Sequence, residues 1–137
     1  MGTTNYYNTF IAVASDSPAS AAIEPPSRDE PTIAELHYEL IAAEPYTRTS
    51  DEVIFETYAR RTGIPDTERD AAREAFFSKG QPCLRSSPLG KRYGWGIHHD
   101  SEGRVALVPL GSDEYESFAS DPSVAHTSAM RSTRGTP

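Results

Sequence analysis

Residues 92–110 constrain the fold more tightly than any other part of the chain. Asp100-Ser-Glu-Gly103 has the signature of a type I turn closed by a glycine in the left-handed region, the connection of a bulged β-hairpin. Pairing Asp100 with Arg104 sets the register by counting. His99 then lies opposite Val105, Ile97 opposite Leu107, and Trp95 opposite Pro109. Alternation puts Tyr93, Trp95, Ile97, Val105 and Leu107 on one face, which reads as a core face. The other face carries Gly94, Gly96, His98, Ala106, Val108 and Leu110. It is small and still apolar, so a helix, another chain or a ligand is expected to approach it closely.

Residues 5–14 are rich in β-branched and aromatic side chains. Tyr7, Thr9, Ile11 and Val13 alternate with Phe10 and Ala12, and the segment reads as a strand that joins the hairpin. Residues 15–31 contain four prolines and read as a surface loop. Thr32 and Glu35 match a capping box ahead of an apolar stripe formed by Ile33, Leu36, Leu40 and Ile41, and Pro45 ends that helix. Thr49 and Glu52 repeat the pattern ahead of a helix that buries Val53, Ile54 and Tyr58 and stops at Gly63. A third helix is expected from Thr67 to Gly80, burying Ala72, Ala75 and Phe76, and Ser112 caps a short one through Phe118.

The fold expected from this order, β-α-α-α-β-β-α, is a small α+β domain over residues 1–120. A three-stranded antiparallel sheet of the first strand and the hairpin would pack against three to four helices on one face. Residues 121–137 read as a polar, mobile tail ending in Arg131 and Arg134.

A chain of 137 residues is about one domain long. Its net charge of −7 argues against nucleic acid and anionic membranes as partners, because a basic surface supplies most of the affinity for both. Cys83 is the single cysteine, so no internal disulfide forms. Residues 1–10 lack a basic flank followed by an apolar run, and no apolar stretch approaches the ~20 residues needed to span a bilayer. A cytoplasmic location is expected.

Against this acidic background, no carboxylate occurs between Glu74 and Asp100, where Lys79, Arg85, Lys91, Arg92, His98 and His99 all lie. Arginine forks and serine hydroxyls suit a phosphate or carboxylate, so Arg85, Ser86, Lys91, Arg92 and His98 are candidate ligand-binding residues. The competing reading pairs these cations with the N-terminal half, since residues 1–60 hold ten acids and three bases. Cys83 is a candidate nucleophile, with His98 or His37 as its base, set against the ordinary role of a lone cysteine as a small buried hydrophobe. His98 and His99 point to opposite faces of one strand, and no CxxC or HExxH spacing occurs, so neither metal nor cofactor is expected. Trp95, Tyr93, Tyr6 and Tyr7 read as core rather than as a stacking platform.

Several stretches resemble an uncharacterised family of small microbial proteins, domain of unknown function 6157. They are Asn5-Tyr-Tyr-Asn-Thr-Phe10, Pro45-Tyr-Thr47, Ser50-Asp-Glu-Val53, the run from Phe76 through Cys83 to Leu89, Lys91-Arg-Tyr-Gly-Trp-Gly96 and Ala129-Met-Arg-Ser132. The resemblance covers nearly the whole chain and implies one domain, without an activity or catalytic residues. Two functions are therefore expected from the residues themselves. One is a small-molecule-binding protein, enzymatic or not, that holds an anionic ligand around the segment from Cys83 to His99. The other is a non-catalytic interaction or homo-oligomerising module that uses the glycine-bearing hairpin face.

Overall fold

The hairpin forms as its turn chemistry dictates. In the computed structural model, which describes residues 2–132, β2 (Trp95–His99) and β3 (Val105–Pro109) pair antiparallel. Ile97 lies opposite Leu107 and His99 opposite Val105, the register obtained by counting. One Asp100 side-chain oxygen accepts from the backbone N–H groups of Glu102 and Arg104, and Gly103 takes φ 82°. β1 (Thr9–Ala12) joins antiparallel to β2, with Ile11 opposite Ile97.

A fourth strand, β4 (Ala125–Ser128), pairs parallel to β1, so the sheet is mixed and runs β3-β2-β1-β4. This differs from the expected three-stranded antiparallel sheet. The sequence of β4, Ala-His-Thr-Ser, is short, polar and mostly exposed, so it carries no alternation to read. It is held by its backbone, through bonds such as Ala125 N–H to Asn8 O and Ala129 N–H to Ala12 O. The stretch read as a tail thus supplies a sheet edge and buries Ala129 in the core. Arg134 lies outside the described residues.

Helices cover both sheet faces rather than one. On the face of Ile11, Ile97 and Val105 lie α1 (Ile33–Ala42) and α2 (Ser50–Thr62), contributing Leu40, Ile41 and Val53. On the opposite face α5 (Asp113–Ser120) lays Tyr115 and Phe118 against Phe10 and Val108. Gly96 makes this possible, because a Cβ there would sit 2.7 Å from Phe10 and 2.9 Å from Tyr115. The glycine-bearing hairpin face is therefore filled by the chain's own aromatic rings.

Among the described residues five α-helices form where three to four were expected. The additional one, α4 (Pro88–Arg92), contains Pro88 and Gly90, residues that read as helix breakers. Proline at the first helical position lacks only an N–H that has no intrahelical partner anyway, and Ser87 caps the turn. α2 has its full capping box and ends at Gly63 with φ 70°. α1 has half of one: the Thr32 hydroxyl accepts from Glu35 N–H, but the Glu35 carboxylate turns to the backbone N–H of Arg28. α3 (Arg69–Phe77) follows a short 3-10 turn, Asp66–Glu68, and buries Phe77 while Ala75 stays exposed. Among the described residues no helix is long and apolar enough to cross a membrane.

Candidate functional site

The apolar stripe of α1 is interrupted by His37, one turn after Ile33 and one turn before Ile41. That phase carries the imidazole into the gap between α1, α2, α3 and the loop of residues 81–87, where a pocket of about 330 Å³ opens. Ile33, Ile54, Phe76 and Pro82 supply its apolar wall, and Tyr58 and Arg61 come from the exposed side of α2. The loop contributes Gln81, Cys83, Ser86 and Ser87.

His37 is only 6% exposed, and its Nδ1 lies 2.8 Å from the Ser87 hydroxyl. Burial pushes its imidazole down to about 4, so it is neutral at pH 7. Ser87, 2% exposed, also accepts from Leu89 N–H as the cap of α4. Cys83 meets the Tyr6 hydroxyl at 3.3 Å. Burial first, and then this bond to Cys83, push the Tyr6 phenol up.

The residues singled out in the sequence separate into several places. Cys83 and Ser86 line the pocket. Arg85, between them, does not line it: it donates from Nε to Ser128 O and sits close enough to the Tyr6 phenol to oppose that upward push, while its own carbonyl accepts from Met130 N–H. Lys91 and Arg92 occupy the last turn of α4, where the helix dipole favours cations, and neither lines the pocket. His98 faces α5, stacks on Phe118 at 4.0 Å and bonds to the Tyr46 hydroxyl through Nδ1. Burial, opposed by Asp100, lowers its imidazole. Cys83 and His98 thus stand on opposite sides of the sheet and do not form one site.

None of Lys79, Arg85, Lys91 and Arg92 forms an ion pair among the described residues. The pairs that do form are Arg48–Glu44, Arg60–Glu56, Arg69 with Glu56 and Asp66, and Arg104–Glu102. No cluster of metal-ligating side chains occurs among the described residues.

A family model described as a family of unknown function, DUF6157, matches residues 1–135. The chain belongs to this family. No curated protein and no solved structure matches it.

In this DUF6157 chain the pocket draws on positions that sequence periodicity assigns to packing. Ile54 and Tyr58 read as buried positions of α2, yet Tyr58 is 40% exposed at the mouth, as is Ile33 at 42%. Arg61 donates from Nη1 to Pro31 O and has no ion-pair partner among the described residues. Glu30 and Glu39 border a neighbouring depression that Arg61 shares, but among the described residues no carboxylate lines the pocket itself. The signal available in the sequence is His37, a polar residue on the apolar stripe of α1, which reads there as a hydrogen-bonded core or boundary histidine rather than as a ligand.

Proposed function

We propose that this protein binds a small organic anion in the pocket between α1, α2, α3 and residues 81–87. The observation that carries the reading is the lining itself. In a chain of net charge −7, a concave pocket brings together Cys83, Ser86, neutral His37 and the cation Arg61 without a single Asp or Glu. Its volume sits at the small end of the range for ligand sites, which fits a metabolite rather than a large cofactor. An apolar wall with few polar groups is the usual composition of such a site.

The competing reading, an interaction module built on the glycine-bearing hairpin face, would have to displace Phe10 and Tyr115 from Gly96. That occupation weighs against it. The free thiol of Cys83 fits a reducing compartment, and on that ground we place the protein in the cytoplasm.

A thermal-shift screen of organic acids, alcohols and amines tests the reading. A ligand at a hundred times its dissociation constant adds about 2.7 kcal/mol, a shift of several degrees for a domain of this size. The shift should vanish in Ile54→Trp, which fills the pocket, and persist in Lys91→Gln, which lies outside it. Hits unaffected by Ile54→Trp would place binding elsewhere and overturn the assignment.

A further inference from the structure

The hydrogen-bond donors of the pocket can be counted one by one. Thr57 donates to Val53 O and Thr62 to Tyr58 O, so neither hydroxyl proton is free. The Ser86 hydroxyl points to Met130 Sδ, and one Gln81 N–H goes to Phe76 O. Ser87 accepts from Leu89 N–H, and the one acceptor its own proton reaches among the described residues is His37 Nδ1. A hydroxyl that is 2% exposed needs such an acceptor. Nδ1 is then the unprotonated nitrogen, and the proton sits on Nε2. No protein group among the described residues bonds Nε2.

The pocket therefore keeps four strong donors for a ligand among the described residues: His37 Nε2–H, the Tyr58 hydroxyl, the second Gln81 N–H and the remaining N–H groups of Arg61. It carries one formal positive charge. A phosphate monoester brings close to two negative charges, which one cation leaves undercompensated however many neutral donors surround it. A carboxylate brings one charge and two oxygens, and it matches. The exposed faces of Ile33 and Tyr58 at the mouth, with Ile54 and Phe76 behind them, suit an apolar body rather than a second polar group.

We propose that the ligand is an apolar monocarboxylate, accepted by His37 Nε2–H and neutralised by Arg61, with Ser87 the positioning residue that holds His37 in the donating tautomer. This rests on the pocket reading above and narrows it.

The probes are hexanoate and phenylacetate, with hexanamide, phenyl phosphate and hexylamine of matching bulk, titrated by calorimetry into wild type, Arg61→Gln, Ser87→Ala and Ser87→Thr. Carboxylates should bind at least about tenfold tighter than the amide, the size expected for a charge-assisted hydrogen bond. They should also bind tighter than the phosphate. Arg61→Gln, at an exposed position, should remove that preference without affecting the fold. Ser87→Ala should weaken carboxylate binding, and Ser87→Thr should restore it. Long-range proton–nitrogen spectra of free wild type should show His37 protonated on Nε2. Equal binding of amide and carboxylate, or a proton on Nδ1, would overturn this inference and leave the pocket reading standing. No binding of any probe, or binding that survives Ile54→Trp, would overturn both.

Discussion

Thr4 and Asp51 are 47 residues apart in the chain, yet one carboxylate oxygen of Asp51 accepts from both the backbone N–H and the hydroxyl of Thr4 at 2.6 Å. The other oxygen accepts from the Thr3 hydroxyl, and Asn5 Oδ1 takes the Asp51 N–H in return. Two of the stretches that carry the family resemblance, the Asn5 and Ser50 motifs, therefore meet in space. The start of β1 is tied to the first turn of α2, where a carboxylate is also favoured by the helix dipole.

Replacing Asp51 with alanine leaves the buried Thr4 N–H without its acceptor and the Thr4 hydroxyl with Ser50 Oγ alone. Each lost bond to a charged group is worth about 1.5–3 kcal/mol, and the losses are not additive. Asp51→Ala should therefore lower the urea-unfolding free energy by about 3 kcal/mol, and Asp51→Asn by less. Amide exchange at Thr4 should accelerate in both. An unchanged midpoint for Asp51→Ala would mean that the N-terminal segment contributes nothing to stability.

Gly96 and Gly94 are filled from two different directions. At Gly96 a Cβ would press on the rings of Phe10 and Tyr115, so Gly96→Ala overpacks the α5 face and should cost roughly 1–3 kcal/mol. Gly94 has φ 78°, and a Cβ there would lie 2.5 Å from the carbonyl oxygen of Ala21. The clash is with backbone, which yields less than a ring, and the left-handed conformation adds strain, so Gly94→Ala should cost about 3 kcal/mol or more. Denaturant midpoints of the two variants give the order. A Gly96→Ala protein as stable as the parent would show that α5 does not rest on the hairpin.

Turn chemistry made the hairpin register legible, because Asp100 and Gly103 admit essentially one connection. The α2 cap was legible for the same local reason. β4 was not, since its pairing depends on backbone bonds to β1 and its side chains show no pattern. The site was legible only in part. Cys83 and Ser86 were named from a stretch lacking acids, and both line the pocket. Arg85, Lys91, Arg92 and His98 belong to the same stretch, but the 3-10 turn Leu84–Ser86, the turn of α4 and the alternation of β2 send them in other directions. The rest of the pocket comes from three helices packing together, which no local pattern encodes.

Truncation after Asp121 tests whether β4 is part of the domain. It would remove Ala129 from the core, where its Cβ lies 2.8 Å from the place a Cβ on Gly90 would occupy. It would also uncover the β1 edge along its full length. An unpaired edge invites association with other chains. The truncated chain should unfold at lower urea concentration and elute as larger species in size-exclusion chromatography. A truncated chain that stays monomeric, with an unchanged midpoint, would show that β4 is dispensable.

His99 is 0% exposed beside the Tyr6 ring, at a centroid distance of 5.4 Å; the backbone of Ile97 and Thr9 lies near its ring, but neither nitrogen makes a well-directed hydrogen bond among the described residues. Burial foremost pushes its imidazole down to about 4, as it does that of His37, from an ordinary value of 6.5. Between those limits the unfolded chain takes up a proton at each histidine that the folded chain refuses. Acid therefore favours unfolding, and stability should fall by about 1.4 kcal/mol per pH unit for each imidazole as pH drops from 6.5 toward 4. Glu56, held low chiefly by its bond from Arg69, loses its contribution only below its ordinary 4.5, so urea midpoints taken between pH 5 and 7 isolate the histidines. His99→Leu should reduce the slope in that window by its own share, leaving the contributions of His37 and of His98, whose imidazole is also lowered by burial. At pH 7 the substitution should also raise stability by about 1 kcal/mol, because it removes two buried nitrogens that lack a well-directed partner among the described residues. A slope unchanged by His99→Leu would assign the acid sensitivity to His37 and His98.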